Sequence, residues 1–500
     1  MMIERFDNKK CEYSGKSVIR LLIVFLGVIL ALKTSQFAIY AFGAVLLFTL
    51  TLKHTEYSLF MLIMLAALSV INNYIVPKGF NFYLITRGSF FVLAVIMMFK
   101  AGFRRSAWLM SPFWFLFVYI FYMMAISLVG WWPMVSELKA ILFLVFITAI
   151  TQTVSAVIQE GADIRKIRSA MLTVAIFYIL GSMAVIPVPS IGNSMTLSAL
   201  DGYGQIVDAT DFSGLFNGVT WHSQELGTIA ALLNAFLLSD YLCNFQRGNR
   251  LYQLLLVCIP ILIYKSSSRA GLIAYLLSIT LTILFFNRER RVSQGKKARA
   301  ITSLVLLILI ATIGIVLTPG AGKRMEAFLR KTQDVELMGG DRSLAEDLTH
   351  SRMGLVEKGM ANFRKKPLIG NGFQVSEEMQ FWDKDKMGLI LSAPIEKGVL
   401  PVMILEEGGV IGAIFFLAFL FAVYVKYLRL RFTCFLSTFS VFLFLNSAEA
   451  TYFSTAGGGG ILWTICIVAL LMDMERYRLF KAPVAVVQKP PSQHDGFRCR

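Results

Sequence analysis

The sequence has few residues of the kinds that hold metals or form disulfides. Of its 500 residues, 4 are histidines and 6 are cysteines. The cysteines lack the spacing of a metal-ligand set, and none falls in a segment that we predict to be extracytoplasmic, so neither a metal site nor a disulfide framework is expected. The sequence also has no P-loop, no G-x-S-x-G elbow and no H-E-x-x-H pair, so ATP coupling and zinc hydrolysis have no support. We predict no cofactor and no metal.

Acidic residues are also scarce, with 31 Asp and Glu against 48 Lys and Arg and a net charge of +17. In a soluble protein this balance would favour a nucleic-acid partner. Here 56% of the residues are hydrophobic and the mean hydropathy is +0.66. The basic residues cluster in short segments between apolar runs, which is typical of cytoplasmic loops of membrane proteins. We therefore predict a membrane protein that does not bind nucleic acid.

The apolar runs predict an all-α polytopic fold with about fourteen transmembrane helices, each long enough to cross the hydrocarbon layer. The first run is not followed by a small-residue cleavage site, so we interpret it as a span and not as a signal peptide. The predicted spans are 18–33, 36–52, 57–76, 82–99, 107–130, 138–158, 169–188, 225–243, 251–265, 270–287, 301–318, 400–426, 432–449 and 459–474.

The distribution of Lys and Arg predicts that both termini are cytoplasmic. The predicted regions are an N-terminal bundle of seven spans (1–188), a first periplasmic loop (189–224), four spans (225–318), a large periplasmic loop (319–399), three spans (400–474) and a basic, disordered cytoplasmic tail (475–500).

The large loop is expected to contain short helices. Met353, Val356, Met360 and Phe363 form one apolar stripe at helical spacing. We expect Ser351 to cap this helix and Pro367 to end it. The helix either roofs a cavity at the membrane face or packs the loop together, and the sequence favours neither alternative.

Two residues at predicted outer span ends are the first candidates for chemistry. Arg269 follows three serines in a short polar turn, where its guanidinium can hold a diphosphate through two parallel hydrogen bonds. The alternative is an arginine that extends to the interface. His222 precedes a span and can either accept a proton or bind phosphate, or it is a polar end of a helix.

Further candidates lie at the same predicted face. Arg352 and Lys397 belong to the large loop, and Glu407 lies in the outer third of a span, where a buried carboxylate usually faces a cavity or an arginine. Arg87 and Lys139 lie near other outer span ends and can contact a phosphate or a sugar, although ion pairing within the bundle is the commoner use of such residues.

Four of these segments occur in the order typical of the O-antigen ligase/polymerase family, which includes Wzy-type polymerases and O-antigen ligases. They are the stretch 214–227, the turn Ser268-Arg269-Ala270-Gly271, Arg352 followed by the P-L-x-G-x-G segment 367–372, and the E-x-G-x-x-G segment 407–412. The chain resembles this family over residues 210–415.

The resemblance implies an inverting, metal-independent glycosyltransferase of the bacterial inner membrane with a periplasmic active site. The implied substrate is a glycan on undecaprenyl diphosphate. The implied partners are the lipid bilayer and a chain-length regulator or other polysaccharide-assembly proteins. Arg269 would neutralise the leaving diphosphate with help from Arg352, and His222 would act as a base or a phosphate ligand. Arg87, Lys139, Lys397 and Glu407 would contact the substrate.

The sequence departs from the family pattern at two places. Many ligases have a His-Asn pair before the E-x-G-x-x-G segment, where this chain has Glu396-Lys397-Gly398. The first predicted periplasmic loop has no arginine, which would shift that role to Arg87 or Lys139. The span number and the missing His-Asn pair favour a polymerase of repeat units over a ligase that transfers a finished glycan to an acceptor. A transporter of lipid or solute and an inactive scaffold are the alternatives of other classes.

Overall fold

The protein is described by a computed structural model. It describes residues 15–34, 40, 43–44, 55–72, 75–76, 88, 91–92, 95–96, 98–99, 111–160, 162–188, 191, 199–200, 206–207, 216–243, 250–288, 294–295, 298, 302, 344–377, 399–448, 451–455 and 457–481. For some of them, including 344–352, it describes the backbone alone. The predicted spans 36–52, 82–99 and 301–318 lie largely outside these ranges.

The described residues are almost entirely helical. The helices are α1 Gly15–Thr34, α2 Thr55–Ser69, α3 Phe113–Ser127, α4 Pro133–Glu160, α5 Ile164–Ala184 with a π-helical segment at Phe177–Gly181, α6 Ser223–Cys243, α7 Arg250–Lys265, α8 Arg269–Asn287, α9 Leu344–Lys365, α10 Leu400–Leu430, α11 Thr433–Ala448 and α12 Gly457–Lys481. Two strands of two residues each, β1 Ala199–Leu200 and β2 Ile206–Val207, pair antiparallel.

Long apolar helices define the class of the fold. Within the described ranges, seven helices are long and apolar enough to cross a membrane, namely α1, α4, α5, α6, α8, α10 and α12. Shorter apolar helices accompany them at 55–69, 113–127 and 433–447. A helix suits hydrocarbon because it satisfies its own backbone polar groups. The predicted class of polytopic helical membrane protein is confirmed, while fourteen spans and their orientation remain predictions.

Helices α6 and α12 form the centre of the bundle. In their apolar stretches 94% and 89% of the residues are buried, against 22% in α1. Helix α6 contacts α7, α8, α11 and α12. The ends of α6 therefore mark the two ends of the bundle, which we call the site end, where α6 begins at Ser223, and the basic end, where α6 ends at Cys243.

A buried ion network joins five helices at the basic end. The fully buried carboxylate of Asp240 (α6) accepts hydrogen bonds from Arg168 of α5 at 2.9 Å, from the Tyr252 hydroxyl of α7 at 2.5 Å and from Arg476 of α12 at 3.1 Å. Arg476 also binds Asp473, which accepts from the backbone N–H of Phe435 at the start of α11. Opposite charges balance within the network, as buried charges require.

Two predictions about helix bounds are wrong. Ser351 is not a cap, because α9 begins at Leu344, seven residues earlier. The same helix ends at Lys365, just before Pro367, as predicted. The last predicted span ends too early, because α12 continues as a helix to Lys481, and the rest of the predicted tail lies outside the described residues.

Candidate functional site

The first part of the candidate site lies where α6 and α8 begin side by side. A Cβ atom at Gly227 of α6 would overlap the side chain of Ser268, and one at Gly271 of α8 would come within 2.9 Å of the Gly227 backbone. Only glycine at both positions lets the two backbones approach this closely. Ser268 caps α8 by accepting a hydrogen bond from the Gly271 N–H at 3.1 Å. The N-termini of α6 and α8 therefore lie side by side at the site end.

Arg269 is the first residue of α8, and its side chain is half-buried. The preceding turn is tight, with Ser267 at a φ of 53° and the Ser266 hydroxyl donating to the Ile263 carbonyl at 2.9 Å. The turn thus fixes the backbone of Arg269, and its side chain begins beside the positive N-terminal ends of two helices. Such an arrangement suits an anion, because backbone N–H groups, helix dipoles and the guanidinium attract the same charge.

His222 lies immediately before α6 and acts as its N-terminal cap. Its Nδ1 accepts a hydrogen bond from the Gln224 N–H at 3.2 Å, and its carbonyl accepts from the Thr220 hydroxyl at 3.0 Å and from the Leu226 N–H at 3.1 Å. A neutral imidazole whose Nδ1 accepts must carry its hydrogen on Nε2. In this tautomer Nε2–H is a hydrogen-bond donor. The ring is therefore better suited to donating to a phosphate or sugar oxygen than to accepting a proton as a base.

Glu225 connects α6 to the beginning of α12. A Cβ atom at Gly458 would come within 3.1 Å of the Glu225 carboxylate, so the glycine at this position leaves room for it. A carboxylate beside the first turn of a helix is favoured by the helix dipole. The glycine run at 457–460 forms the first turn of α12, which therefore lies against the first turn of α6.

The second part of the candidate site is a break in α10, which we call the Gly409 junction and define as residues 406–411 with the segment 367–373. At Gly409 the backbone leaves the helix with φ 63° and ψ −165°. The segment 367–373 supplies the missing partners. The N–H groups of Asn371 and Gly372 donate to the carbonyls of Glu406 and Glu407, and the N–H groups of Val410 and Ile411 donate to the carbonyls of Pro367 and Leu368.

Glycines make this exchange of backbone bonds possible. A Cβ at Gly370 (φ 77°) would overlap the Glu407 carbonyl, and a Cβ at Gly409 would overlap the Leu368 carbonyl. The P-L-x-G-x-G and E-x-G-x-x-G segments are therefore two halves of one structural unit. An interrupted helix inside a membrane protein is stable only where other protein groups satisfy its freed backbone.

Side chains of α3 and α4 hold the junction in place. Tyr122 donates from its hydroxyl to the Gly408 carbonyl at 3.0 Å, and Ser136 accepts from the Phe373 N–H at 2.7 Å. Lys139 is 4% exposed and donates to the Gln374 carbonyl at 3.1 Å. The Lys139 ammonium group thus positions the backbone of the loop, and its contact with substrate stays a prediction.

Two glutamates lie inside the junction, both fully buried. Glu406 accepts from the Asn362 side chain at 3.0 Å, which ties α9 to α10. Asn371 donates to the Asn362 carbonyl at 3.0 Å and to the Glu406 carbonyl at 3.1 Å. Both glutamate side chains are thus inside the protein, and the prediction that a glutamate here faces a cavity or an arginine stays a prediction.

A cluster of aromatic side chains packs against the Gly409 junction. Phe453 stacks on Tyr119 with ring centroids 5.6 Å apart and packs edge-on against Phe143 and Phe373, each at 5.2 Å. Phe373 belongs to the Gly409 junction. Phe453 lies four residues before the start of α12, and it is the start of α12 that lies against Glu225. The cluster thus links the Gly409 junction to α3, to α4 and to the segment that precedes α12.

The remaining predicted site residues are described less fully. Helix α9 carries Arg352 on its described backbone, about two turns before Gly359, where an added Cβ would come within 2.6 Å of Val402 in α10. Arg87 and Lys397 lie outside the described residues. Sequence reasoning missed Tyr122, Ser136, Asn362 and Phe453, because ordinary polar and aromatic residues in a span carry no signal of contacts with segments far away in the chain.

Together these features define a polytopic helical membrane protein whose paired helix N-termini and interrupted helix lie at one end of the bundle. Residues 254–394 match the sequence profile of the Wzy_C family, described as O-Antigen ligase. The predicted resemblance is confirmed over this stretch, which includes Arg269, Arg352 and the segment 367–372. Proteins of this family are glycan-transferring enzymes, ligases and polymerases alike. No curated protein matches the chain.

Proposed function

We propose that the protein joins undecaprenyl-diphosphate-linked repeat units into an exopolysaccharide or O-antigen-like chain by inverting glycosyl transfer. The observation that carries the proposal is the pairing of the α6 and α8 N-termini through Gly227 and Gly271, with His222 and Arg269 beside them. Positive helix ends, a guanidinium and an imidazole donor all favour the diphosphate of a lipid-linked donor.

In the proposed reaction, the bonds, the electron pair and the proton are all accounted for without a metal ion. The acceptor hydroxyl attacks the anomeric carbon from the face opposite the diphosphate, and the bond between that carbon and the diphosphate oxygen breaks. The electron pair stays on undecaprenyl diphosphate, where Arg269 and the helix N-termini stabilise the negative charge that develops. The hydroxyl proton passes to a base, for which His222, the half-buried Glu225 and the fully buried Glu406 and Glu407 are the candidates among the described residues.

The distribution of charge supports a periplasmic position for the site end. The described residues at the basic end include Arg165, Lys166, Arg168, Arg250, Arg288, Lys426, Arg429, Arg431 and Arg476, whereas the transmembrane helices carry few basic residues at the site end. Cytoplasmic ends of spans carry this excess. We therefore propose the bacterial inner membrane, with the basic end in the cytoplasm.

A ligase is the second candidate, and the family match supports it equally. It would transfer a finished glycan from undecaprenyl diphosphate to a different acceptor with the same leaving group. The absence of a His-Asn pair before Glu407 favours the polymerase, since many ligases of this family have it.

Deletion of the gene, followed by analysis of surface glycans and of the undecaprenyl-linked pool, separates these functions. We expect long polymer to disappear and single lipid-linked repeats to accumulate. Long polymer that remains on undecaprenyl diphosphate would identify a ligase. An unchanged glycan profile and pool would contradict both and would favour a transporter.

The two roles considered for His222 predict different effects of His222→Asn. Asparagine can accept the Gln224 N–H with its carbonyl oxygen and donate with its amide, so a donor role predicts polymer synthesis within about tenfold of the wild type. His222→Ala loses both bonds and is expected to reduce the rate about a hundredfold. The measurement is the rate of polymer formation in proteoliposomes. Equal, complete inactivation of both variants would instead indicate a general base.

A further inference from the structure

A groove at the basic end lies between the beginning of α3 and the end of α10. Its volume is about 300 Å³, and its lining includes Ser111, Pro112 and Phe115 from the α3 side and Val425, Lys426 and Arg429 from the α10 side. Lys426 donates to the Ser111 hydroxyl at 2.7 Å, and this bond holds the Lys426 ammonium group next to the N-terminus of α3. Two of the lining side chains, Lys426 and Arg429, are cations. The groove is far from the candidate active site, at the opposite end of α10.

The apolar surface beside the groove continues along the outside of the bundle. Leu417, Phe421, Val425 and Arg429 follow one another at intervals of four residues and therefore share one face of α10. Leu417 and Phe421 are 61% and 71% exposed, and Phe115 on α3 is 47% exposed. From Leu417 to Arg429 the helix rises roughly 18 Å, a little more than half of the ~30 Å hydrocarbon thickness. One acyl chain has this reach.

We propose that this groove binds an anionic phospholipid of the cytoplasmic leaflet. The phosphate lies between Lys426 and Arg429 near the N-terminus of α3, and an acyl chain follows the Leu417–Phe421–Val425 face. Charge complementarity selects an anionic headgroup, because both Lys426 and Arg429 line the groove within one turn of α10. The continuous exposed apolar face favours a lipid over a free phosphate, because a phosphate ion has no acyl chain to cover that face.

The site has a structural consequence for the bundle. The lipid phosphate would bridge the end of α10 and the start of α3, the two helices that also meet at the Gly409 junction through Tyr122. Bound lipid would thus fix the relative position of the same pair of helices from the other side of the membrane. The proposal does not depend on the reaction that the site end performs.

The test measures lipid binding to the full-length protein in a neutral detergent by native mass spectrometry. Palmitoyl-oleoyl phosphatidylglycerol is titrated and compared with phosphatidylcholine of the same chains and with inorganic phosphate. We expect phosphatidylglycerol to bind and the Lys426→Gln/Arg429→Gln double variant to bind it roughly 30-fold more weakly, which corresponds to about 1 kcal/mol for each basic residue. Ala422→Phe keeps both charges, fills the groove and is expected to weaken binding as well.

The matched control is Arg250→Gln/Arg288→Gln, which removes two exposed charges from the same end of the bundle outside the groove. This control is expected to bind phosphatidylglycerol as the wild type does. The proposal is overturned by wild-type affinity in the Lys426/Arg429 variant or in Ala422→Phe, or by an equal loss in the control. Displacement of the lipid by millimolar inorganic phosphate, or equal binding of phosphatidylcholine, would overturn the lipid as its occupant.

Discussion

Arg269→Ala is expected to abolish polymer while the protein still inserts and folds. The residue begins α8 beside the N-terminus of α6, and its backbone position is fixed by the Ser268 cap, which the substitution leaves intact. Removing a preorganised donor that stabilises developing charge costs about a hundredfold or more in rate. The measurement is complementation of the deletion strain, with the polymer and the lipid-linked repeats quantified together and the protein level checked in membranes.

Arg269→Lys distinguishes a bidentate contact from a simple need for positive charge. An ammonium is a point charge that cannot make two parallel hydrogen bonds to a diphosphate, so we expect this variant to restore little. Arg288→Ala is the matched control, because it removes an arginine from the other end of the same helix. Normal polymer from Arg269→Ala would remove this residue from the site, and full activity of Arg269→Lys would reduce its role to long-range charge.

The parts of the fold that were predicted from the sequence are those set by local pattern. Apolar runs located the helices that begin at Ser223, Arg250 and Arg269 to within two residues, because hydrocarbon leaves a buried backbone few alternatives to a helix. The polar turn of three serines before Arg269 was equally visible. The prediction that His222 lies at the end of a helix also agrees with the structure, and its capping bond adds the ring tautomer.

The Gly409 junction was not predictable in the same way. Its two segments were recognised separately, but the residues that bond to each other are about forty positions apart, and their supports on α3 and α4 are more than two hundred positions away. An apolar run that continues through 400–426 gives no sign of an interrupted helix. The break is specified by tertiary hydrogen bonds, so only the glycines at 370, 408 and 409 hinted at it.

The capping error at Ser351 has a similar origin. Serine before an apolar stripe is a common helix start, but α9 already runs for seven residues before it. The stripe itself is partly used: Met353 remains 51% exposed, while the turn that contains Gly359 and Asn362 packs against α10. Packing of the loop, one of the two alternatives left open by the sequence, therefore describes the second half of this helix.

Gly409→Ala is expected to disrupt the junction and to inactivate the protein. The backbone there adopts φ 63° and ψ −165°, a conformation essentially restricted to glycine, and the added Cβ would overlap the Leu368 carbonyl. Relief requires the segment 367–373 to move, which breaks the bonds that Val410 and Ile411 donate to it. We expect a loss of about 3 kcal/mol or more in the free energy of unfolding, with polymer synthesis lost as α9, which carries Arg352, detaches from α10.

The measurements for Gly409→Ala are thermal unfolding in detergent and limited digestion with trypsin, which cleaves after Arg364 and Lys365 once the junction opens. Gly354→Ala is the matched control in the same unit. It lies in α9 with no atom within 4 Å of the added methyl group, so helix propensity should stabilise it by about 1 kcal/mol. If Gly409→Ala unfolds at the wild-type temperature and resists trypsin equally, α10 does not depend on the segment 367–373. Arg352 would then have to reach the site end by other contacts.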